Sequence, residues 1–568
     1  MTSEHRHREL NPIIVKGMRA RLRRGTLISW GVVVLTITGF VSAIVYLVQT
    51  EQEFTTPETA AKMILLPVII IQATILMLLG TGAVASGVSQ ERDKGLLDYQ
   101  RMTPMSPTSK LLGYLFGLPA REYVLFALTL PFMAFGIIKG GFPLITIAKF
   151  YVIFFSSVMV YHMTGLAAGM VSAKPRRAGL IAQGMVLMLY FVLPSLSFFG
   201  FTFFEFLTIR PALIGMVYQE IQNVGGSPEA LAQLPGLTAL DEFRFIPFFT
   251  IELHPITFTL IAQSGLLIAL WTAIHRKWRD ESLHIFSKWF GLVFFAGAAA
   301  MTLGNVWPIL RNDGVFAQLL RQFVGRNITA SEIGQYEESP IINSVVLTIA
   351  LAILTALCIL TLLCITPTTD KIKQGWRRVA RQGGRMIPLN WDSSSSLFVT
   401  AGIILLYSIT FGLLAYAALQ SNRYLQPPSV VALVMPAVYM GMIIIFLQAT
   451  LERFGKRSFF VATFLLWMVP FFSAILLGAA FERELLSAYV SLPFPPSGLF
   501  FSFLDITFPP TLEGFDDDGP PLIFRENARE LITTGTIGYA ILAGIMLTIN
   551  RQHQTRLRSD VLQSVEAV

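Results

Sequence analysis

Ser89 to Lys110 reads SQERDKGLLDYQRMTPMSPTSK, a polar island between two apolar runs, each long enough to cross a bilayer. The spacing predicts a short helix lying at the membrane surface. Ser89 is placed to cap it, its hydroxyl accepting from a free amide of the first turn. Glu91 and Asp93 then fall near the positive end of the helix dipole, and Arg101 near the negative end. Glu91 with Lys94, and Asp98 with Arg101, have the i, i+3 spacing of ion pairs, while Leu96, Tyr99 and Met102 share one face. Pro104 disfavours helical geometry at Thr103 and ends the helix. Ser106 and Pro107 read as the N-cap and first-turn proline of the next one.

The flanking runs set the class of protein. Of 568 residues, 54% are hydrophobic and only 14% are charged, against about 25% charged in soluble domains. At about 20 apolar residues per crossing, spans fall at 27–48, 64–88, 117–138, 146–171, 179–203 and 255–274. A second set falls at 288–307, 342–364, 397–419, 430–451, 459–481 and 531–549. With the N-terminus inside, the inner segments, counting Lys288 at the edge of its span, hold 30 of the 43 Lys and Arg and the outer segments 11, and every inner segment has at least three. That asymmetry follows the positive-inside rule and predicts both termini on the cytoplasmic side. The net charge of +8 is then assigned to loops facing anionic lipid, not to nucleic acid.

The expected fold is all-α, with about twelve transmembrane helices in two six-helix halves, 27–275 and 276–568. Ahead of them, segment 1–26 interleaves Lys16, Arg19, Arg21, Arg23 and Arg24 with Ile13, Ile14, Met18 and Leu22. This suits an amphipathic helix on the inner membrane face. The second half carries a cytoplasmic basic loop, 365–396, and an outer loop, 482–530. In the basic loop Ile372, Trp376 and Val379 recur at helical spacing among Lys371, Lys373, Arg377, Arg378 and Arg381, the pattern of an interfacial basic helix. Asp516, Asp517 and Asp518 read as a solvated outer loop, and Asn327-Ile328-Thr329 is a sequon relevant only on a eukaryotic secretory route.

Catalytic chemistry is not evident. The string nearest to a phosphate loop, Phe454-Gly455-Lys456-Arg457-Ser458, lacks the first glycine and the spacing. Seven scattered histidines give no metal cluster, and Cys358 and Cys364 share one apolar run without a disulfide or zinc pattern. No catalytic, cofactor-binding or metal residue is therefore assigned. His162 reads as a satisfied interhelical donor. Arg121 and Glu122 lie near the inner end of the third span, where Arg121 can snorkel and Glu122 can meet a cation from the polar island. The span interiors otherwise hold almost no ionisable groups, which argues against ion coupling. Gly165 with Gly169, and Gly82 with Ser86, form small-residue faces that let helices approach closely.

The ordered string of Glu91, Arg92, Gly95, Leu97, Asp98, Thr103, Pro104 and Ser106 follows a span ending in small residues and precedes a long apolar helix. It resembles the type-2 ABC exporter permeases. The likeness extends over roughly 11–273, with Asn11-Pro12 opening a basic helix, and is thin beyond. The resemblance implies that 89–106 is a coupling helix docking on a separate ATP-hydrolysing subunit. Glu91, Arg92, Gly95, Leu97, Asp98, Arg101, Thr103 and Pro104 would make the docking surface, with Arg121 and Glu122 in support. No cofactor would sit in this chain, ATP and Mg²⁺ belonging to the partner, and the setting would be a bacterial or archaeal cytoplasmic membrane. Short outer helices would form at Ile209–Gln222 and Arg244–Phe249, and either the two halves or two chains would pair. Two other classes stay open. One is an ion-coupled secondary transporter; the other is an integral-membrane lipid-modifying enzyme using Glu205, His254 and the Asp516 cluster. Fold-level analogy selects no substrate.

Overall fold

The computed structural model describes residues 11–51, 56–172, 174–194, 202–213, 246–279, 285–311, 340–367, 369–381, 397–421, 429–494, 497–502 and 522–566. The sequon, the Asp516–Asp518 cluster and residues 382–396 of the basic loop lie outside the described residues. Apart from one hairpin, Ile246–Phe248 with Ile251–Leu253, the described regular structure is helical. That hairpin replaces the short helix expected at Arg244–Phe249, while Ile209–Gln222 is described only to Leu213 and begins as a helical turn.

In chain order the first helices are α1 (Pro12–Arg21), α2 (Arg24–Thr50), α3 (Pro57–Asp93), α4 (Leu96–Met102), α5 (Pro107–Gly117), α6 (Ala120–Gly140), α7 (Leu144–Val171), α8 (Pro175–Leu187) and α9 (Pro255–Arg279). They are followed by α10 (Lys288–Arg311), α11 (Pro340–Ile365), α12 (Thr369–Arg381), α13 (Leu397–Ser421), α14 (Val430–Phe481), α15 (Glu484–Ser491) and α16 (Leu522–Glu566). Among the described residues, eleven segments are long and apolar enough to cross a membrane: α2, α3, α6, α7, α9, α10, most of α11, α13 and α16, and the two parts of α14, Val430–Arg453 and Phe460–Phe481. The chain is a polytopic, all-α integral membrane protein. Of the twelve expected spans, only 179–203 is not among these eleven. There α8 opens on the charged pair Arg176 and Arg177 and runs into a π-turn, Met188–Val192, and residues 195–201 lie outside the described set.

The helix ends obey local rules. Asn11 caps α1, accepting from Ile13 N at 3.0 Å, with Pro12 in its first turn. Gly141, at φ 64°, closes α6 in the left-handed region that costs glycine least. Gly455, at φ 76°, breaks α14 between its two spanning parts.

The chain forms two compact units. The first comprises Met1–Ser197, Thr202–Ile246 and Leu253–Leu283. Its central seam joins α3 to α7: a Cβ on Gly165 would come within 2.7 Å of the Thr81 carbonyl oxygen, and one on Gly169 within 2.6 Å of that of Ala85. The small-residue face thus brings two backbones into direct contact. Polar groups also bridge α3 to α6 and to α7. Gln72 Nε2 donates to Thr129 Oγ1 at 3.0 Å, and Tyr151 donates to Gln72 Oε1 at 2.8 Å. His162, fully buried, places Nε2 2.9 Å from the Leu76 carbonyl oxygen inside the π-turn Thr74–Gly80 of α3. A π-turn disturbs the regular carbonyl ladder, so the histidine fills the role of an interhelical donor.

The second unit comprises Phe198–Phe201, Pro247–Glu252 and His284–Val568. Here α12 lays Ile372 and Trp376 on Leu557 and Val561 of α16, all four buried. The apolar stripe of the expected interfacial helix thus packs, in part, on the chain's own last helix.

Candidate functional site

The polar island folds as two helix ends joined by a glycine. Helix α3 continues to Asp93, well past Ser89. Ser89 is therefore no cap: it is 1% exposed and donates to the Ser172 carbonyl oxygen at 3.0 Å. Glu91 and Asp93 accordingly sit in the last turn of α3, the negative end of its dipole, and not in the first turn of the next helix. Gly95, at φ 69°, supplies the left-handed residue that redirects the chain. Only then does α4 run from Leu96 to Met102, with Asp98 in its first turn and Arg101 in its last. Thr103 turns extended (φ −70°, ψ 151°) ahead of Pro104, and Ser106 Oγ accepts from Ser109 N at 3.2 Å to open α5. The stop and restart thus follow the sequence expectation.

The side chains divide into an inward and an outward set. Inward, Leu97 is 3% exposed in a cluster with Tyr114, Leu115, Leu166, Ile274 and Trp278. Glu91 pairs with Lys16 of α1 at 2.7 Å and accepts from Gln100 Nε2 at 3.3 Å. The Tyr114 hydroxyl lies between Glu91 and Gln100, hydrogen-bonded to both. Burial first, and the Glu91 carboxylate second, push the Tyr114 phenol well above its ordinary range. It stays protonated, and the buried hydroxyl donates to an ionised acceptor. Glu91 is therefore a hub joining α1, α3, α4 and α5, and its expected pairing with Lys94 is replaced by Lys16. Arg92 Nη1 donates to the Met170 carbonyl oxygen at 2.7 Å, binding the end of α3 to the end of α7. Lys110 Nζ donates to the Thr103 carbonyl oxygen at 3.0 Å and so satisfies the exit from α4.

Outward, Asp98 presents a side chain 72% exposed, held at 2.7 Å by Arg101 Nη1 as its spacing predicted. Arg101 also donates to the Lys277 carbonyl oxygen at 3.4 Å. Leu96, Tyr99 and Met102 are 38%, 66% and 78% exposed, and Gly95 and Pro104 are exposed beside them. The residues singled out by sequence thus play two parts: Glu91, Arg92 and Leu97 hold the elbow, while Gly95, Asp98 and Pro104 face out. The most exposed apolar side chains, Tyr99 and Met102, were legible as one helix face but not as the outermost part of the site.

A second brace comes from α1, which packs backbone to backbone on α5: a Cβ on Gly17 would stand 2.6 Å from the Gly117 carbonyl carbon and oxygen. Asn11 Nδ2 also donates to the Ser109 carbonyl oxygen at 2.6 Å. Glu122, fully buried, takes its cation from Arg121 at 2.6 Å and not from the polar island, and Arg121 stacks its guanidinium 5.4 Å from the Trp30 ring. Arg21 of α1 lies within electrostatic reach of both Glu122 and Arg121, and its Nη2 donates to the Ala83 carbonyl oxygen at 3.2 Å. Burial lowers the Arg21 pKa from its ordinary value, with Glu122 opposing that shift.

Of the residues named for an enzymatic site, Glu205 is buried near Arg210, at 3.7 Å. His254 Nδ1 accepts from Ile256 N at 3.3 Å at the start of α9. Comparison with family models, curated proteins and solved structures gives no match to this chain.

Proposed function

We propose that this chain is the membrane permease subunit of an ABC exporter, driven by a separate ATP-binding subunit that docks on α4 from the cytoplasm. The observation that carries the reading is the two-sidedness of α4. Leu97 is sunk in the core while Leu96, Tyr99, Met102 and Asp98 project from a seven-residue helix. An isolated seven-residue helix would be marginal in water; this one is held by Leu97 and Gln100 within the unit. An apolar face so exposed on a braced helix is suited to a protein partner. The resemblance of the motif from Glu91 to Ser106 to exporter coupling helices supports an ATP-binding subunit as that partner.

The mechanism follows from the bracing. A push on α4 reaches α3 through Glu91 and Gln100, and reaches α7 through Arg92 and the glycine seam. ATP-bound and free partner would have to hold α4 differently for a population shift to result. ATP and Mg²⁺ belong to the partner, so no catalytic, cofactor or metal residue is assigned here. Both termini would be cytoplasmic, in a bacterial or archaeal cytoplasmic membrane.

The test is affinity purification of the full chain from its host membranes, followed by sequencing of what co-purifies. A bound chain with a phosphate loop and Mg²⁺-dependent ATP hydrolysis supports the reading. Hydrolysis by the permease alone, or no such partner, contradicts it. One observation favours a secondary transporter instead: Glu122 is fully buried and its Oε2 lacks a hydrogen-bond partner among the described residues. Substrate movement driven by an ion gradient in liposomes holding this chain alone would establish that second reading.

A further inference from the structure

Three helix ends of the second unit meet at one level. The apolar part of α11 ends at Ile365 and α12 begins at Thr369. Thr369 Oγ1 hydrogen-bonds the Glu452 carbonyl oxygen, which sets the start of α12 against the end of the first spanning part of α14. Arg453 Nη2 donates to the Ile549 carbonyl oxygen at 2.7 Å, which sets that same end against α16. Ile365 and Arg453 close apolar spanning segments, and Ile549 is followed by the polar run Asn550, Arg551 and Gln552.

Cations converge there. Lys373 on α12 lies beside Ile372, which packs on Leu557 next to Arg556 of α16, and Arg453 reaches α16 at Ile549; all three cations lie within electrostatic reach of His553. The carboxylate at the junction, Glu452, is 2% exposed and its Oε2 already accepts from Gln554 Nε2 at 3.1 Å. Among the described residues, neither Lys373 nor Arg556 has an ion-pair partner. Arg453 Nε and His553 Nε2 are buried and without a hydrogen-bond partner among the described residues. Three like charges drawn together without matching carboxylates repel one another, and a buried polar nitrogen left unpaired costs free energy. A bound anion relieves both. Because Ile372 and Trp376 are spent on α16, α12 is held by the chain itself and need not anchor in lipid to stay in place.

We infer that Lys373, Arg453, His553 and Arg556 form a headgroup site for an anionic phospholipid, its phosphodiester seated between α12, α14 and α16. The level of the site selects a lipid over a free anion, since the glycerol and acyl chains would continue along spanning helices. The inference is independent of whether an ATP-binding subunit docks on α4.

The test uses the full chain purified in a neutral detergent, titrated with phosphatidylglycerol, phosphatidylcholine or inorganic phosphate and read by native mass spectrometry. Phosphatidylglycerol is expected to bind at least about tenfold more tightly than phosphatidylcholine. The double change Lys373→Gln with Arg556→Gln is expected to weaken phosphatidylglycerol binding about 30-fold, from about fivefold per basic residue near a membrane surface, and to leave phosphatidylcholine binding unchanged. A control on two exposed cations of the first unit, Arg176→Gln with Arg177→Gln, should shift neither. If the double variant does not purify as a monodisperse species, Lys373→Gln alone is read, with about a fivefold loss expected. Binding of phosphatidylglycerol that is unchanged in the variants, or no tighter than that of phosphatidylcholine, overturns the proposal. Inorganic phosphate competing as well as the lipid would make this a free-anion site and overturn it too. Loss of a co-purifying protein with lipid binding intact would make the cluster a protein contact and would equally overturn it.

Discussion

Tyr114→Phe removes one oxygen atom from the elbow and should loosen α4 without opening a cavity. The ring is 1% exposed and packs 5.2 Å from the Trp278 ring, contacts that phenylalanine keeps. What is lost is the hydroxyl shared by Glu91 and Gln100. A hydrogen bond to a charged group contributes about 1.5–3 kcal/mol. If that bond closes α4 against α5, local opening becomes about 10- to 150-fold more frequent, at 1.4 kcal/mol per factor of ten. Lys16→Ala tests the other arm of the hub. Its side chain is 50% exposed, so solvent screening limits the pair to about 0–1 kcal/mol and the effect to about fivefold or less. Hydrogen exchange of the 96–103 amides, followed by mass spectrometry on the full chain in lipid nanodiscs, reads both. Exchange in Tyr114→Phe equal to that of the unaltered chain would refute the hub, as would a larger effect from Lys16→Ala.

Raising pH should erode the difference between the unaltered chain and Tyr114→Phe. The phenol is held neutral in the fold while an unfolded tyrosine ionises near about 10; the unfolded chain then binds fewer protons, so the hydroxyl's stabilisation is present below about pH 10 and declines above it. Thermal midpoints of the two proteins between pH 8 and about 11 would follow the convergence; a gap that widens would reverse the sign argued here. Gly17→Leu places side-chain atoms where a Cβ already meets Gly117 backbone at 2.6 Å, and overpacking of this kind costs about 1–3 kcal/mol. Its thermal midpoint should drop, whereas Gly25→Ala, with nothing within 4 Å of the added Cβ, should match the unaltered chain or exceed it. Trp376→Ala empties a site 2% exposed and should cost about 3–5 kcal/mol locally, read as faster tryptic cleavage at Arg377 and Arg378. Cleavage at the unaltered rate would mean that α12 is not held by α16. Single cysteines at Gly375 and Asp517 should label from the inner and outer side respectively. Labelling from one side would undo the proposed orientation.

The spans were legible because hydrocarbon thickness sets a length that composition reveals directly, and ten of them, together with the long α3, fall where apolar runs predicted. The segment 179–203 was harder: Arg176 and Arg177 stand at its mouth and a π-turn follows, features that an apolar count passes over. Within the elbow, Pro104, Ser106 and Pro107 act through their own backbone geometry, and Asp98 and Arg101 through three-residue spacing, so both were readable. Ser89 was misleading for the same reason. A serine beside a polar run has the local signature of a cap, but its hydroxyl finds Ser172, 83 positions away. Gly95 held the missed signal, since a glycine after a helical stretch marks the left-handed end of that helix. The partners of Glu91 come from α1 and α5, and the partner of α12 from α16. Such long-range pairings leave no mark in local periodicity.

Docking of an ATP-binding subunit on α4 is tested most directly by changing only its outward face. Tyr99→Ala with Met102→Ala alters side chains 66% and 78% exposed, so the permease itself should keep its thermal midpoint within about 0.5 kcal/mol of stability. The measurement is the amount of phosphate-loop ATPase recovered with the tagged chain from host membranes, relative to the unaltered protein. The account predicts loss of about tenfold or more, with Leu180→Ala, exposed on α8, recovering the full amount. Equal recovery with the Tyr99 and Met102 pair removed would contradict it.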